Sequence, residues 1–255
     1  MASISSGWPY PFWIAHRGGG RHAPENTLAA FRVGKANGFG MFECDVKLSA
    51  DGVPFLLHDS ELERTSSGVG PAGAQTWAEL SRLDAGGWYG ASYAGEPPPT
   101  LEAVARFVIA NACAVNLEIK PSPGAEKATG EQVARTAAAL WIASRPAPLL
   151  SSFDVDALAA AATAEPSLPR ALLLDELRPG WFDIATRLGC CAVVTHHSLM
   201  NAGLASFLHD SGQRALVYTV NDPTDVAAMR AAGVDGIITD DVERLSCETY
   251  FTNPG

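Results

Sequence analysis

Polar residues that could act in catalysis occur in short groups, each at the end of a run of apolar, strand-like residues. The groups are His16-Arg17, Glu43-x-Asp45, His58-Asp59 and Glu118-x-Lys120. Side chains two positions apart on a strand point to one face, so the two members of each x-spaced pair share a face. Three carboxylates converging on one point favour a hard cation, Mg²⁺ or Ca²⁺, because no Cys/His spacing typical of a zinc site is present.

The basic residues of these groups predict the substrate chemistry. Arg17 and Lys120 would place positive charge beside the cation, which suits a phosphate group. His16 and His58 would supply an acid and a base near neutral pH. Together these side chains predict metal-assisted cleavage of a phosphodiester, with Tyr218 and Asn221, at the end of a later strand, as further substrate-binding candidates.

The elements that must position these groups alternate between strand and helix patterns. Amphipathic segments such as Leu101–Ala112, with Thr100 as its predicted N-cap, separate most of the strands. Glycines end several helices, and the alternation predicts a parallel sheet. The candidate strands are Phe12–His16, Met41–Lys47, Pro54–His58, Val115–Lys120, Leu149–Ser152, Ala171–Leu174, Ala192–Thr195, Leu216–Val220 and Gly236–Thr239.

One pair of candidate strands cannot be parallel. Only the six residues Leu48 to Val53 separate Met41–Lys47 from Pro54–His58, and a parallel crossover needs about a dozen. Asp51-Gly52 predicts a two-residue hairpin, which would place His58 opposite Asp45. The remaining eight strands predict a TIM-type (β/α)8 barrel, whose site lies at the carboxyl ends of the strands.

The chain length fits one barrel domain over residues 1–255. Residues 59–99 are rich in glycine, serine and proline and are long for a loop. They predict an inserted subdomain above the carboxyl-terminal face of the barrel, where it would cap the mouth.

Composition limits the partners and the location. The chain carries 18 basic and 28 acidic residues, a net charge of −10, which argues against nucleic acid and anionic membranes as partners. The segment Met1 to Phe12 lacks a basic, apolar leader pattern, and no apolar run reaches about 18 residues. Five cysteines without a C-x-x-C pair predict buried or incidental thiols. A cytoplasmic protein is expected.

Six segments together resemble the motif set of glycerophosphodiester phosphodiesterases, and most of all the cytoplasmic bacterial branch linked to glycerol 3-phosphate uptake. They occur in order over nearly the whole chain. The segments are Ala15-His16-Arg17-Gly18-Gly19, Pro24-Glu25-Asn26-Thr27, Glu43-Cys44-Asp45-Val46, Asp51-Gly52 with His58-Asp59, Leu117-Glu118-Ile119-Lys120 and Tyr218-Thr219-Val220-Asn221.

The resemblance implies hydrolysis of a glycerophosphodiester to glycerol 3-phosphate and an alcohol, in a barrel with an inserted subdomain. It also implies a role for each matched residue: His16 and His58 catalytic, Glu43, Asp45 and Glu118 metal-binding, Arg17 and Lys120 phosphate-binding. The attacking group, a water molecule or the glycerol's own hydroxyl, stays open.

The same residues admit other interpretations. A lipid-cleaving phosphodiesterase of the same superfamily would need an apolar or basic rim, and a non-catalytic barrel would not need this intact polar set. Gly18-x-Gly20-x-x-Ala23 followed by Glu43 resembles a dinucleotide fingerprint, but Pro24 would fall inside its helix. Glu118 and Lys120 could form a structural ion pair.

Several other polar residues lie near the predicted site or at helix ends. Glu25 and Asn26 are expected to cap the first helix, and one residue of His196-His197 could line the pocket. His209 is expected to be a charge partner at a helix end.

Overall fold

The computed structural model describes residues 7–144 and 146–245, and it shows a closed barrel of eight parallel strands. The strands are β1 Trp13–Ala15, β2 Met41–Leu48, β3 Pro54–Leu56, β4 Ala114–Ile119, β5 Leu149–Ser152, β6 Arg170–Leu174, β7 Ala192–His196, β8 Arg214–Tyr218 and β9 Gly236–Thr239. The sheet runs in the order β1-β9-β8-β7-β6-β5-β4-β2, and pairing of β1 with β2, where Ala15 aligns with Phe42, closes it. The ninth strand, β3, pairs antiparallel with β2. All nine predicted strands and the barrel are confirmed.

Helices follow most strands and pack outside the barrel. Thr100 caps α3, as predicted, because its side chain accepts a hydrogen bond from Ala103 N. Gly233 ends α8 with a φ of +85°, a left-handed conformation that glycine adopts without strain. The helices are α1 Leu28–Ala36, α2 Trp77–Leu80, α3 Leu101–Ala110, α4 Glu126–Leu140, α5 Val155–Ala164, α6 Trp181–Arg187, α7 Ala202–Asp210 and α8 Pro223–Ala232.

Strand alternation separates an outer core from the interior of the barrel. Outward-facing residues such as Cys44 and Leu117 join the large cluster between strands and helices. Inward-facing Met41 and Ala114 belong to a second cluster that fills the barrel interior. Two positions further along the same faces stand Glu43 and Asn116. The barrel interior therefore turns from apolar to polar toward the carboxyl ends of the strands.

The hairpin between β2 and β3 has a different register from the one predicted. Leu48 pairs with Pro54 and Val46 with Leu56, so Leu57, not His58, comes opposite Asp45, whose carbonyl accepts from Leu57 N. The reason is a longer turn: Gly52 N donates to Ser49 O, and Gly52 has a φ of +82°. This is the three-residue loop in which a turn is followed by a left-handed glycine.

Residues 59–99 contain α2 and a small apolar cluster shared with the hairpin, formed by Phe55, Leu57, Leu62, Ala72 and Leu80. They contact the loop that follows β1: the Tyr89 hydroxyl donates to Arg21 O at 2.7 Å. A second contact joins Arg64 to Glu25. That these residues form a subdomain capping the mouth stays a prediction.

Within the described residues, Cys44, Cys113 and Cys190 are buried and Cys191 is partly buried, all as free thiols. Cys247 and the first six residues lie outside the described part. No helix in the described ranges has the length and apolarity that crossing a bilayer requires.

Candidate active site

Three buried carboxylates meet at the polar end of the barrel interior. Asp45 on β2 stands beside Glu118 on β4 in the parallel register, and Glu43 lies two residues before Asp45. Each offers an oxygen, and these three atoms lie within 4.8 Å of one another. The structure thus brings together the predicted cation ligands.

The pKa values of these carboxyl groups reflect crowding and burial. Burial, followed by the charge of Asp45, raises the pKa of Glu43 to about 8. The same two causes raise the pKa of Glu118. Burial also acts on Asp45, but the charges of Arg17 and Lys120 lower its pKa overall. Among the described residues, Glu43 Oε1 is buried without a hydrogen-bond partner. An all-oxygen cluster with one uncommitted oxygen fits a hard divalent cation.

His16 stands at the end of β1 beside this cluster. Its Nδ1 lies 2.6 Å from Asp240 Oδ1, and its Nε2 lies 3.7 Å from Glu43 Oε2. Asp240 is itself fixed, since Asn221 Nδ2 donates to its second oxygen at 3.1 Å. Burial alone would lower the pKa of His16, but the hydrogen bond to Asp240 and the charges of Glu43 and Asp240 raise it overall.

His58 reaches the cluster through Lys120, which bonds Glu118. Its Nδ1 is 2.6 Å from Asp59 Oδ1, and its Nε2 is 2.9 Å from Lys120 Nζ. A charged lysine only donates, so Nε2 accepts and the ring proton sits on Nδ1, toward Asp59. Burial and the nearby charges of Arg17 and Lys120 lower the pKa of His58, although Asp45 and Asp59 act in the opposite direction.

The two predicted phosphate-binding cations border the carboxylates. Arg17 Nη1 bonds Glu25 Oε1 at 2.8 Å, and its Nε lies 3.4 Å from Asp45 Oδ2. Lys120 Nζ bonds Glu118 Oε1 at 2.9 Å. The positively charged groups of Arg17 and Lys120 therefore lie where they would contact an anion bound beside the three carboxylates.

Arg64, in the insertion, is a site residue that the sequence analysis missed. Its guanidinium bonds both oxygens of Glu25, at 2.9 and 2.8 Å, and both oxygens of Asp59, at 2.5 and 3.1 Å. Glu25 holds Arg17 and Asp59 holds His58, so one side chain links a predicted phosphate ligand to a predicted catalytic residue. In the sequence, only its position five residues after Asp59 indicated that Arg64 could lie near the site.

Tyr218 and Asn221 differ in placement. Tyr218 lines a narrow pocket, with its ring edge-on to Phe153 and its hydroxyl donating to Leu174 O. Asn221 lies behind His16: its amide donates to Asp240 Oδ2 and its carbonyl accepts from Asp240 N. Asn221 therefore holds Asp240, and the predicted contact of Asn221 with a substrate stays a prediction.

Two compartments adjoin the carboxylates, and each contains one of the histidines. The narrow pocket, of about 20 Å³, is lined by His16, Glu43, Asn116, Glu118, Phe153, Leu173, Tyr218 and Ile238. The wider cavity, of about 250 Å³, includes His58, Lys47, Lys120 and Asp154. Glu118 and Phe153 border both.

The expected cap of α1 is wrong. Thr27 caps the helix by accepting from Ala30 N, since its β conformation directs the hydroxyl at the free amides of the first turn. Glu25 holds the two arginines instead, and Asn26 holds Asp45, to which its amide donates at 2.8 Å.

The remaining histidines lie outside this cluster of contacts. His209 pairs with Asp235 at 2.7 Å, as expected for a charge partner near a helix end. The His196 ring stands edge-on to Tyr218, and the His197 Nδ1 lies 4.0 Å from Asp225. Neither is among the residues that line the narrow pocket.

Comparison with known proteins agrees with this geometry. Residues 16–244 match the glycerophosphoryl diester phosphodiesterase family. A glycerophosphodiester phosphodiesterase of Caldanaerobacter subterraneus is 33% identical over 237 residues, covering 91% of this chain and 95% of the relative. The structure of an Oleispira antarctica phosphodiesterase in complex with the product sn-glycerol-3-phosphate has a TM-score of 0.84 and 32% identity, covering 92% and 95% of the two chains. A glycerophosphodiester phosphodiesterase of Agrobacterium tumefaciens has a TM-score of 0.77 and 26% identity, with coverage of 91% and 97%. The chain belongs to the glycerophosphoryl diester phosphodiesterase family and is a phosphoric diester hydrolase of that class.

Proposed function

We propose that this enzyme hydrolyses glycerophosphodiesters to glycerol 3-phosphate and an alcohol, using a divalent cation and two histidines. One observation carries the proposal: two imidazoles, each hydrogen-bonded to a carboxylate, border a buried cluster of three carboxylates, His16 beside Glu43 and His58 through Lys120. The glycerol 3-phosphate bound by the Oleispira antarctica relative supports the same product here.

Glu43, Asp45 and Glu118 would hold the cation, Mg²⁺ or Ca²⁺. Their repulsion and the uncommitted Glu43 Oε1 support this assignment. When bound, such a cation supplies positive charge that polarises a phosphoryl oxygen. Arg17 and Lys120 would bind the remaining charge of the phosphate.

His16 and His58 would act as the acid–base pair. One imidazole removes the proton of the attacking hydroxyl, and the other protonates the departing alkoxide on the opposite side of phosphorus. Asp240 and Asp59 would fix the two rings, so that each could turn Nε2 to the substrate, with His58 exchanging its contact with Lys120 Nζ for one with the substrate. This division of labour holds whether water or the glycerol's neighbouring hydroxyl attacks.

The test measures turnover of a panel of glycerophosphodiesters and intact lipids before and after chelation. We expect chelation to abolish turnover and Mg²⁺ or Ca²⁺ to restore it. We expect His16→Ala and His58→Ala each to lower kcat about a hundredfold or more, while His209→Ala, which removes a distant histidine, leaves it unchanged. Full turnover after exhaustive chelation, or a near-normal kcat in either site variant, contradicts the proposal.

The insertion and the location belong to the same proposal. Residues 59–99 would cap the mouth and shape the choice of alcohol, which the contacts from Arg64 and Tyr89 to the loop after β1 support. The substrate would be a small molecule rather than nucleic acid or membrane lipid, and the enzyme would act in the cytoplasm.

A further inference from the structure

Asn116 is an unusual residue at the inner end of the narrow pocket. It is fully buried on β4, two residues before Glu118 and on the same face. Among the described residues, neither its Oδ1 nor its Nδ2 has a hydrogen-bond partner. A buried amide with its donor and acceptor both unpaired is costly, so a polar group that enters the pocket would be held strongly there.

Apart from Glu43 Oε1, which is assigned to the cation, the other polar side chains of this pocket already have partners. Tyr218 donates its hydroxyl to Leu174 O, and His16 uses Nδ1 on Asp240. Glu118 bonds Lys120 and belongs to the carboxylate cluster. Asn116 thus contributes the uncommitted amide of this lining, opposite the apolar side chains of Leu173 and Ile238.

The size of the pocket defines what it can take. Its volume is about 20 Å³, and one water-sized group needs roughly 10–15 Å³. The inner end therefore suits one hydroxyl or one water molecule, with room for carbon atoms only toward the opening. An amide can donate to such a hydroxyl and accept from it at the same time.

We propose that Asn116 binds a hydroxyl of the substrate's glycerol moiety and thereby selects glycerol-bearing diesters. The proposal rests on the proposed function, because it assigns the glycerol half of that substrate to the His16 side of the phosphate. The departing alcohol then lies on the His58 side, in the cavity of about 250 Å³. The narrow pocket binds the glycerol moiety that all these substrates share, and the wider cavity accepts alcohols of different sizes.

The test compares two substrates that differ only in hydroxyl groups. Glycerol 3-phosphate methyl ester carries both glycerol hydroxyls, and propyl methyl phosphate carries neither. In Asn116→Leu, which keeps the side-chain size and removes the amide, we expect kcat/KM to fall at least about tenfold on the first substrate. On the second substrate it should change less than about twofold, so the variant loses the wild-type preference for the hydroxyl-bearing diester.

Thr195→Val is the matched control, because Thr195 is also fully buried with an unpartnered hydroxyl but points to the outer side of β7. This variant should keep the preference of the wild type. Calorimetry on the cation-loaded protein adds a second readout: Asn116→Leu should weaken binding of glycerol 3-phosphate and leave binding of inorganic phosphate unchanged. If Asn116→Leu folds poorly, Asn116→Ala carries the same two measurements.

The outcomes separate the two proposals. Equal losses on both substrates, or unchanged binding of glycerol 3-phosphate, mean that Asn116 holds a water or supports the fold, and they overturn this inference. A wild-type protein that cleaves neither diester overturns the proposed function instead. In that case, and also where the wild type cleaves only the hydroxyl-bearing diester because the substrate's own hydroxyl attacks, the calorimetric comparison of glycerol 3-phosphate with phosphate decides the role of Asn116.

Discussion

Removing the charge of Glu43 should stabilise the metal-free protein at high pH. Glu43 is fully buried between like charges, and its pKa is raised from 4.5 to about 8 in the folded protein. A raised folded pKa means that the unfolded chain releases this proton at a lower pH than the folded protein does. The destabilisation is therefore absent below about pH 4.5, grows as the pH rises from 4.5 to about 8, and is complete above that.

The size of the effect follows from the shift. Each pKa unit corresponds to about 1.4 kcal/mol, so moving from 4.5 to about 8 represents on the order of 5 kcal/mol. That is a large fraction of the ~5–15 kcal/mol stability of a typical domain. Glu118, whose pKa is raised for the same reasons, adds a contribution of the same sign.

The assay is urea unfolding of wild type and Glu43→Gln in chelator at pH 5 and pH 9. Glutamine mimics the protonated carboxyl group, so the two proteins should have similar free energies of unfolding at pH 5. At pH 9 the variant should be more stable by several kcal/mol. Added Mg²⁺ or Ca²⁺ should reverse the order, because only the wild type keeps all three ligands.

Two results would refute this reasoning. If the difference in free energy of unfolding between the two metal-free proteins is the same at pH 5 and pH 9, the pKa of Glu43 is not raised in the folded protein. If the cation stabilises Glu43→Gln as much as wild type, Glu43 is not a ligand.

Three further predictions test how the site is held together. Arg64→Gln should lower kcat/KM about tenfold or more, because it releases the carboxylates of Glu25 and Asp59 at once. Added guanidinium should restore part of the lost kcat/KM, and a loss without rescue would indicate a folding defect. Asp240→Asn should lower kcat and shift the pH–rate profile to lower pH, because it removes the negative charge that raises the pKa of His16. An unchanged profile would contradict a role for that contact in setting the pKa of His16. Gly34→Ala should cost about 1–3 kcal/mol in urea unfolding, because the added Cβ would meet Gly18 O at 2.2 Å. Gly40→Ala, where the Cβ finds only an ordinary contact, is its control, and equal losses in both would refute the packing argument.

The sequence by itself determined the strands, the closure of the barrel and which polar groups end those strands. Strand patterns have a period of two, so the spacing of Glu43 and Asp45 already placed both on one face. The six residues before Pro54 were too few for a crossover, which reduced nine strands to eight parallel ones. These conclusions depend on local backbone geometry, which short stretches of sequence determine.

The tertiary structure alone decided which side chains contact one another across the chain. Asp240 reaches His16 although 224 residues separate them, and Arg64 reaches Glu25 from the insertion. Asn116 had the right spacing before Glu118, but only the folded barrel reveals that its amide lacks a partner among the described residues. The hairpin register also required the structure, because the turn type rather than the Asp-Gly pair sets the pairing. Such contacts depend on how loops from distant strands meet at the barrel mouth. A local sequence pattern does not specify which of these distant side chains come within contact distance.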